Sequence, residues 1–528
     1  MRPIVLSGFM ATGKTTVGRK LAARVGASFV DTDDEIARAS GKRIADLWRD
    51  EGEAAFRRRE AVLVERLLKD PGKVVIAFGG GTVTTRTVRH AAIDRALVVT
   101  LTAAPETIVS RVGELLPDRP NLAVGTDPVA RARELLESRA DAYAECHLTL
   151  ATDGVDSDAI VDAIVAFAER APIAVPLGRR TYTIEIINDS PSTLTDAVAR
   201  LAPSSLVVVT DAHVQRDRHA YLLAALAPLA VPHVTVTLAA GEEQKNLASV
   251  ATIWDAALGG GIDREALIVA FGGGVIGDLA GFAASTLLRG IRTLVAPTTL
   301  LAMVDASVGG KTGFDHPTGK NLIGSFHQPC GVVADLSHLS TLPQRERVSG
   351  LAEIVKIALT SDASLLETLE AHAERIARGD PQALAPIVRR AIEAKVQVVR
   401  DDERETGRRA ILNLGHTIGH ALEAHGNYRS LLHGEAVALG TVAELGAGAQ
   451  LGLTPGPLVE RTREILARLG LPSRPSRAAV AASWAFVAAD KKRTLTRVHV
   501  PVVTGPGEAR LERIELDSLR DAVLAALA

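Results

Sequence analysis

Over the first third of the chain, short apolar runs alternate with stretches whose apolar positions recur every three or four residues. Ile4–Leu6, Ser28–Val30, Val74–Phe78 and Leu97–Leu101 predict strands, and the stretches between them predict helices, the last over Ala159–Arg170. Ala171-Pro-Ile-Ala-Val-Pro-Leu-Gly178 breaks the pattern with two prolines and a glycine, which predicts a linker over 171–178. The alternation resumes at Tyr182–Ile187 and continues through Leu206–Thr210, Val234–Leu238, Ala266–Ala270 and Thr293–Val295. Beyond Thr341 the strand signals nearly vanish in favour of alanine- and leucine-rich helical periodicity, with one late apolar run at Val498–Val503. The pattern predicts α/β architecture: a domain over 1–170 with a parallel sheet, a second α/β domain over 179–340, and a mostly α-helical domain over 341–528.

Composition narrows the class. A formal net charge of −2 gives no electrostatic reason for a nucleic-acid or anionic-membrane partner. Two distant cysteines, Cys146 and Cys330, make neither a disulfide framework nor a cysteine zinc site, which suits a reducing cytoplasm. Met1–Leu6 predicts a strand rather than a signal peptide. The apolar stretch Ala266–Leu288 is interrupted by Gly272-Gly-Gly274 and Asp278, which argues against a membrane span.

Gly8-Phe-Met-Ala-Thr-Gly13-Lys14-Thr15 matches G-x-x-x-x-G-K-[ST] between a strand and a helix. That context suits nucleotide phosphates: backbone amides and a helix N-terminus face the anion, Lys14 reaches the β- and γ-phosphates, and Thr15 binds Mg²⁺. Four pieces follow in order: Asp31-Thr-Asp33, Arg57 within Gly52-Glu-Ala-Ala-Phe-Arg57-Arg-Arg-Glu60, Gly79-Gly80-Gly81, and Asp118-Arg119-Pro120 ahead of Arg139. A small hydroxylated carboxylate needs an arginine clamp and a carboxylate for its hydroxyls. The ordered set resembles shikimate kinase over essentially all of 1–170. The resemblance implies that Asp33 binds and activates the substrate hydroxyls, while Arg57, Arg139 and the backbone of Gly79, Gly80 and Gly81 hold shikimate. It also implies ATP contacts from Ala11, Thr12, Gly13, Lys14, Thr15, Thr16 and Arg111, with Asp31 supporting Mg²⁺. Arg119 would stabilise the transferring phosphoryl group from a lid over 112–125.

In the C-terminal part, His416 and His420 stand at i and i+4, His433-Gly-Glu435 follows, and Glu353 and Lys356 lie one helical turn apart upstream. Two imidazoles and a carboxylate suffice for a divalent metal with an open position, and the spacing is not that of H-E-x-x-H proteases. With Gly241-Glu242-Glu-Gln-Lys245, Gly272-Gly-Gly-Val275-Ile-Gly277-Asp278, Pro297-Thr298-Thr299, Asp305-Ala-Ser-Val-Gly-Gly310-Lys311 and Gly319-Lys320-Asn321, this segment resembles 3-dehydroquinate synthase from about residue 175 onward.

That resemblance implies zinc, or cobalt in its place, on Glu353, His416 and His433, and a proton-handling or phosphate-binding role for His420. It implies NAD contacts from Asp211, Glu242, Lys245, Gly273, Gly274, Val275, Gly277 and Asp278. Further NAD contacts would come from Thr298, Thr299, Lys311, Lys320, His338, Thr341 and Leu342. Substrate contacts would come from Arg289, Asp305, Lys311, Asn321, Lys356, Lys395, Arg409, Asn413 and one of Lys491 and Lys492, with Lys492 preferred. Lys311, Lys356, Lys395, Arg409 and His420 are the implied catalytic groups. The family converts 3-deoxy-D-arabino-heptulosonate 7-phosphate to 3-dehydroquinate and phosphate, oxidising one hydroxyl with NAD and reversing the oxidation within the turnover. Synthases of this family are commonly dimers, which implies a homodimer. Two alternatives stay open: a metal-dependent polyol dehydrogenase, against which the lysines and arginine speak because a neutral polyol needs no anion-binding set, and a half retained only as a scaffold.

Overall fold

A computed structural model of the chain describes residues 2–69, 72–113, 122, 127–317, 319–489, 493–494 and 496–528. It divides into two compact units, Met1–Glu185 and Ile186–Ala528.

In the first unit, strands β1 (Ile4–Ser7), β2 (Ser28–Asp31), β3 (Val74–Ala77), β4 (Leu97–Thr102) and β5 (Leu148–Ala151) form a sheet in the order β2-β3-β1-β4-β5. All four neighbouring pairs are parallel. Successive side chains point to opposite faces, so Val5, Ile76 and Val98 enter one apolar cluster while Ile4, Leu6, Val75, Leu97 and Val99 enter the other. Burial on both faces explains why these strands read as continuous apolar runs. Each fully buried side chain of this size contributes about 1.5–3 kcal/mol. β1 delivers the phosphate loop at its C-terminal end, and Gly8 has to be glycine there: its φ is 131° and a Cβ would collide with the Leu101 carbonyl.

After the helix Ser157–Glu169 the chain forms β6 (Ile173–Val175), antiparallel to β7 (Tyr182–Ile187). The segment expected as a bare linker, 171–178, therefore contains a strand. Pro172 and Pro176 flank Ile173–Val175 rather than interrupt it, so no ladder amide is lost.

The unit boundary falls inside β7. The second sheet adds β8 (Leu206–Asp211), β9 (His233–Leu238), β10 (Leu267–Gly272), β11 (Arg292–Pro297) and β14 (Gly331–Asp335), in the order β6-β7-β14-β11-β10-β8-β9. Between β11 and β14 lies the antiparallel hairpin of β12 (Lys311–His316) and β13 (Gly319–Phe326). The remainder is helical, with a small sheet of β15 (Arg493–Thr494), β16 (Arg497–Gly505) and β17 (Glu508–Glu515). Among the described residues no helix is long and apolar enough to cross a membrane.

Three helices matter for the site: Gln344–Ser361, His416–His425 and His433–Gln450. Glycines set their spacing. A Cβ on Gly434 would run into the Ser349 carbonyl, and one on Gly440 into the Gly415 carbonyl. Such close crossings bring side chains on separate helices within reach of one another.

Candidate active sites

In the first unit the helix Lys14–Val25 starts directly behind Gly13, whose φ of 90° turns the loop into it. Lys14 Nζ donates to the carbonyls of Gly8 (2.9 Å) and Phe9 (2.7 Å), folding the ammonium back over the loop. Thr15 Oγ1 donates to Asp31 Oδ2 at 2.9 Å, and Asp31 also caps the helix Thr32–Ser40 by accepting from the Asp33 amide at 3.1 Å. Ala11, Thr12, Gly13, Lys14, Thr15 and Thr16 line a cavity of about 490 Å³ together with Arg111, which is held by Thr152. The size and the loop of amides suit a nucleotide.

Beside this cavity Asp33, Arg57 and Arg139 converge on Gly79, Gly80 and Gly81. A Cβ on Gly79 would collide with the Asp33 carboxylate, and one on Gly81 with the Arg57 guanidinium. Arg57 pairs with buried Glu60, which accepts a 2.6 Å hydrogen bond from Thr82 Oγ1. Arg139 Nη1 donates to the Gly80 carbonyl at 3.3 Å, and the Tyr143 hydroxyl donates to the same oxygen. Two guanidiniums and one carboxylate around a bare backbone loop can bind a hydroxylated carboxylate. Arg119 and most of the expected lid lie outside the described residues.

In the second unit a cavity of about 640 Å³ opens at the C-terminal ends of the parallel strands, where doubly wound sheets bind dinucleotides. Its walls include Asp211 after β8, Glu242 and Lys245 after β9, Gly273, Gly274, Val275 and Asp278 after β10, and Thr298 and Thr299 after β11. Lys320, Asn321, His338, Thr341 and Leu342 complete that side. Lys245 bridges Asp278 (2.5 Å) and Asn321 Oδ1 (2.6 Å). Lys320 bridges Glu242 (2.9 Å) and Glu423 (3.2 Å). His338 stacks edge-on against Tyr221 and Phe271, and burial pushes it down to about 4, so it is neutral at physiological pH. Gly277 is not on the cavity wall: its amide donates to the Gly273 carbonyl inside the first turn of Gly274–Thr286.

The same cavity reaches His420, Glu423 and His433. Glu353, fully buried, places Oε1 3.7 Å from His416 Nε2 and 3.6 Å from His433 Nε2. Glu353 Oε1 has no hydrogen-bond partner, which is costly for a buried carboxylate oxygen unless a cation sits there. The other ring nitrogens are engaged: His416 Nδ1 with the Leu414 carbonyl (3.1 Å) and His433 Nδ1 with Glu423 Oε2 (3.3 Å). Both Nε2 atoms are thereby turned toward Glu353, an arrangement that fits a divalent metal. His420, Glu423 and His433 form a second candidate group, but the Glu423 oxygens are taken up by His433 and Lys320. The Glu353 group is the better fit.

Around Glu353 the anion-binding side chains are gathered and mostly buried. Lys356 pairs with Glu353, and Lys395 Nζ donates to the Asp305 carbonyl (2.6 Å) and Oδ1 (2.5 Å). Arg409 donates to the Gly309 carbonyl at 3.1 Å, Asn413 Nδ2 donates to Glu405 Oε1 at 2.5 Å, and Lys311 pairs with Glu405. Burial pushes Lys395 down to about 8, against the pull of Asp305.

Arg289 is not brought to this cluster. It is exposed in the turn Leu287–Arg289, before β11 begins, because Gly274–Thr286 carries the chain back to the end of the sheet away from Gly273 and Thr298. Lys491 and Lys492 lie outside the described residues.

Two buried acids matter that the sequence did not single out. Glu423 stands three residues after His420 and is held at about 2: burial pushes it up, but His433 and Lys320 prevail. Glu444 accepts from the amides of Gly415 (2.7 Å) and Ile418 (3.1 Å), capping from a neighbouring helix the one that starts at His416. Neither had a usable signal, since an acid at helical spacing reads as a solvated face until its tertiary partners are known.

Comparisons with known proteins agree with this division. A family model described as shikimate kinase matches residues 10–169. Models described as 3-dehydroquinate synthase N-terminal and 3-dehydroquinate synthase C-terminal match 235–349 and 350–493. The 3-dehydroquinate synthase of Rhodospirillum rubrum is 44% identical over 352 residues, covering 65% of this chain and 91% of the relative. That of Halorhodospira halophila is 47% identical over 284 residues, covering 53% of this chain and 80% of the relative. Among solved structures, 2-epi-5-epi-valiolone synthase from Streptomyces hygroscopicus subsp. jinggangensis, with NAD⁺ and Zn²⁺ bound, has a TM-score of 0.59 at 28% identity, covering 65% of this chain and 96% of its own. By these likenesses the chain belongs to the 3-dehydroquinate synthase family and carries a shikimate kinase domain ahead of it.

Proposed function

We propose that the chain is a bifunctional enzyme of aromatic-precursor biosynthesis, with residues 1–170 phosphorylating the 3-hydroxyl of shikimate from ATP. Residues 179–528, with the dinucleotide part over 179–340 and the metal part over 341–528, convert 3-deoxy-D-arabino-heptulosonate 7-phosphate to 3-dehydroquinate and phosphate. The observation that carries the second activity is the unpartnered Glu353 Oε1 facing two histidine Nε2 atoms beside a cluster of buried cations.

In the kinase, Lys14 exchanges the loop carbonyls it now holds for phosphate oxygens, and Thr15 with Asp31 holds Mg²⁺. Arg57 and Arg139 clamp the shikimate carboxylate above Gly80, Asp33 accepts the proton of the attacking hydroxyl, and Arg111 lies beside the adenine. Arg119, outside the described residues, would stabilise charge on the transferring phosphoryl group.

In the synthase, NAD supplies a reversible two-electron oxidation and a divalent metal, zinc or cobalt, supplies Lewis acidity. Glu353, His416 and His433 hold the metal. Lys245, Lys320, Thr298 and Thr299 hold the dinucleotide against Gly273 and Gly274. Lys356, Lys395, Arg409, Lys311, Asn321 and Asn413 bind the carboxylate and phosphate, Asp305 orients Lys395, and His420 moves a proton beside the metal group. Two free cysteines suit a cytoplasmic enzyme, and the family likeness suits a homodimer.

The sites act independently. Lys14→Ala should abolish shikimate-dependent ADP formation and leave phosphate release intact, and His416→Ala should do the reverse. A single change that abolished both in a chain that still folds would overturn the proposal.

A further inference from the structure

The shikimate kinase match ends at residue 169, yet the chain just beyond it packs back onto the kinase. Ala174 of β6 belongs to the same apolar cluster as Tyr143 and Cys146. Arg2 Nη2 donates to the Pro172 carbonyl at 2.8 Å. The turn between β6 and β7 lies against the segment that carries Arg139. Gly178 has a φ of 61°, and a Cβ there would press on the Asp141 carboxylate at 3.3 Å. Arg179 Nη2 donates to Glu137 Oε1 at 2.5 Å.

The central group is Glu145. It follows the helix Ala140–Ala144, whose N-cap is Arg139 and which carries Tyr143. Its side chain is 11% exposed. It accepts from Arg89 Nε at 2.5 Å and from the Gly178 amide at 3.0 Å, and lies 3.5 Å from His90 Nε2. One half-buried carboxylate thus joins the kinase body, the end of the Arg139 helix and the hairpin turn. A helix of five residues cannot hold itself in place, so its outer supports set where Arg139 and Tyr143 point.

We propose that the hairpin spanning 172–181 is a working part of the kinase: it braces the short helix behind Arg139 and Tyr143, and Glu145 is the positioning residue through which it does so. The inference rests on the kinase activity proposed above. The exposed Arg179 pair contributes little energy and serves mainly to fix the turn's register. The half-buried contacts of Glu145 and the buried packing of Ala174 carry the brace. When the turn is released, the Gly178 amide leaves Glu145, and Arg139 loses its fixed distance to Gly80, where the shikimate carboxylate binds.

The test uses the full-length chain, wild type beside Glu145→Ala and a variant with two glycines inserted between Gly178 and Arg179. Steady-state constants for shikimate and ATP are measured, with synthase activity in the same preparation as the folding control. The brace predicts a rise of about tenfold in KM for shikimate in both variants, the scale of one mispositioned charge-assisted hydrogen bond, with KM for ATP and synthase activity unmoved. An unchanged shikimate KM in the insertion variant overturns it. So does a parallel rise in KM for ATP with a fall in kcat, which would mean general loosening. A wild-type chain that forms no ADP with shikimate overturns the kinase proposal, and the brace with it.

Discussion

At the scale of single residues, the synthase site is defined by one buried carboxylate, Glu353, whose Oε1 faces the Nε2 atoms of His416 and His433. Glu353 and Glu423 both face His433 from inside the protein, and His433 is pushed up to about 10: burial lowers it, but the two carboxylates prevail. Glu423 fixes which nitrogen of His433 points at Glu353. Glu423→Gln should therefore weaken Zn²⁺ binding by about 10–100-fold, read by chelator competition without substrate. Unchanged affinity would show that packing alone orients the ring. Lys395 gives a pH dependence. With its pKa near 8 it carries charge below that pH and loses it above. KM of the synthase for its phosphorylated substrate should rise as pH passes about 8, while the unfolded chain, with an ordinary lysine, keeps the proton longer. The fold should accordingly gain stability between about pH 8 and the ordinary lysine value near 10.4. Glu353, His416 and His433 were named through the family resemblance rather than through spacing, and the fold brings their ligand atoms together. Glu145, Glu423 and Glu444 were not legible, because each is an ordinary acid whose partner lies far away in sequence.

At the scale of elements, the strands of the two large sheets were mostly legible, since burial on both faces leaves continuous apolar runs. The exceptions have physical causes. β12 and β13 meet at Gly313 and Gly324, where a Cβ on either would strike the facing backbone, so a paired hairpin is spelled with residues that read as loop. β17 alternates charge and apolar residues, and Arg497 pairs with Glu515 across its edge, so it shows no apolar run. β5 is a short edge strand, half exposed. Within the linker expected at 171–178, the strand Ile173–Val175 was not legible because two prolines signal a break, while the three residues between them are free to pair. Close helix crossings supply a prediction at this scale. Gly434→Ala forces the helix His433–Gln450 away from Ser349, and should cost about 1–3 kcal/mol of stability and lower metal affinity, measured by thermal unfolding and chelator competition. A variant as stable as wild type would mean that the crossing tolerates a methyl group.

At the scale of the whole molecule, two compact units carry two chemistries that are not consecutive in the pathway the family implies, so no intermediate needs to pass between them. Ligands should then stabilise the units separately. ATP analogue with shikimate should raise only the kinase transition, and NAD with Zn²⁺ only the synthase transition, by amounts that grow with ligand concentration, as calorimetry of the intact chain can show. On the proposed reading the larger unit would release phosphate with no net change in the redox cofactor, and that would distinguish it from a polyol dehydrogenase built on a similar cavity. The most direct measurement follows phosphate release and absorbance of reduced nicotinamide in one cuvette, with the purified chain, Zn²⁺, catalytic NAD and the heptulosonate phosphate. Phosphate should accumulate over many turnovers with no net rise in NADH, and removal of the metal should stop it. NADH accumulating in step with substrate consumption would contradict the synthase assignment.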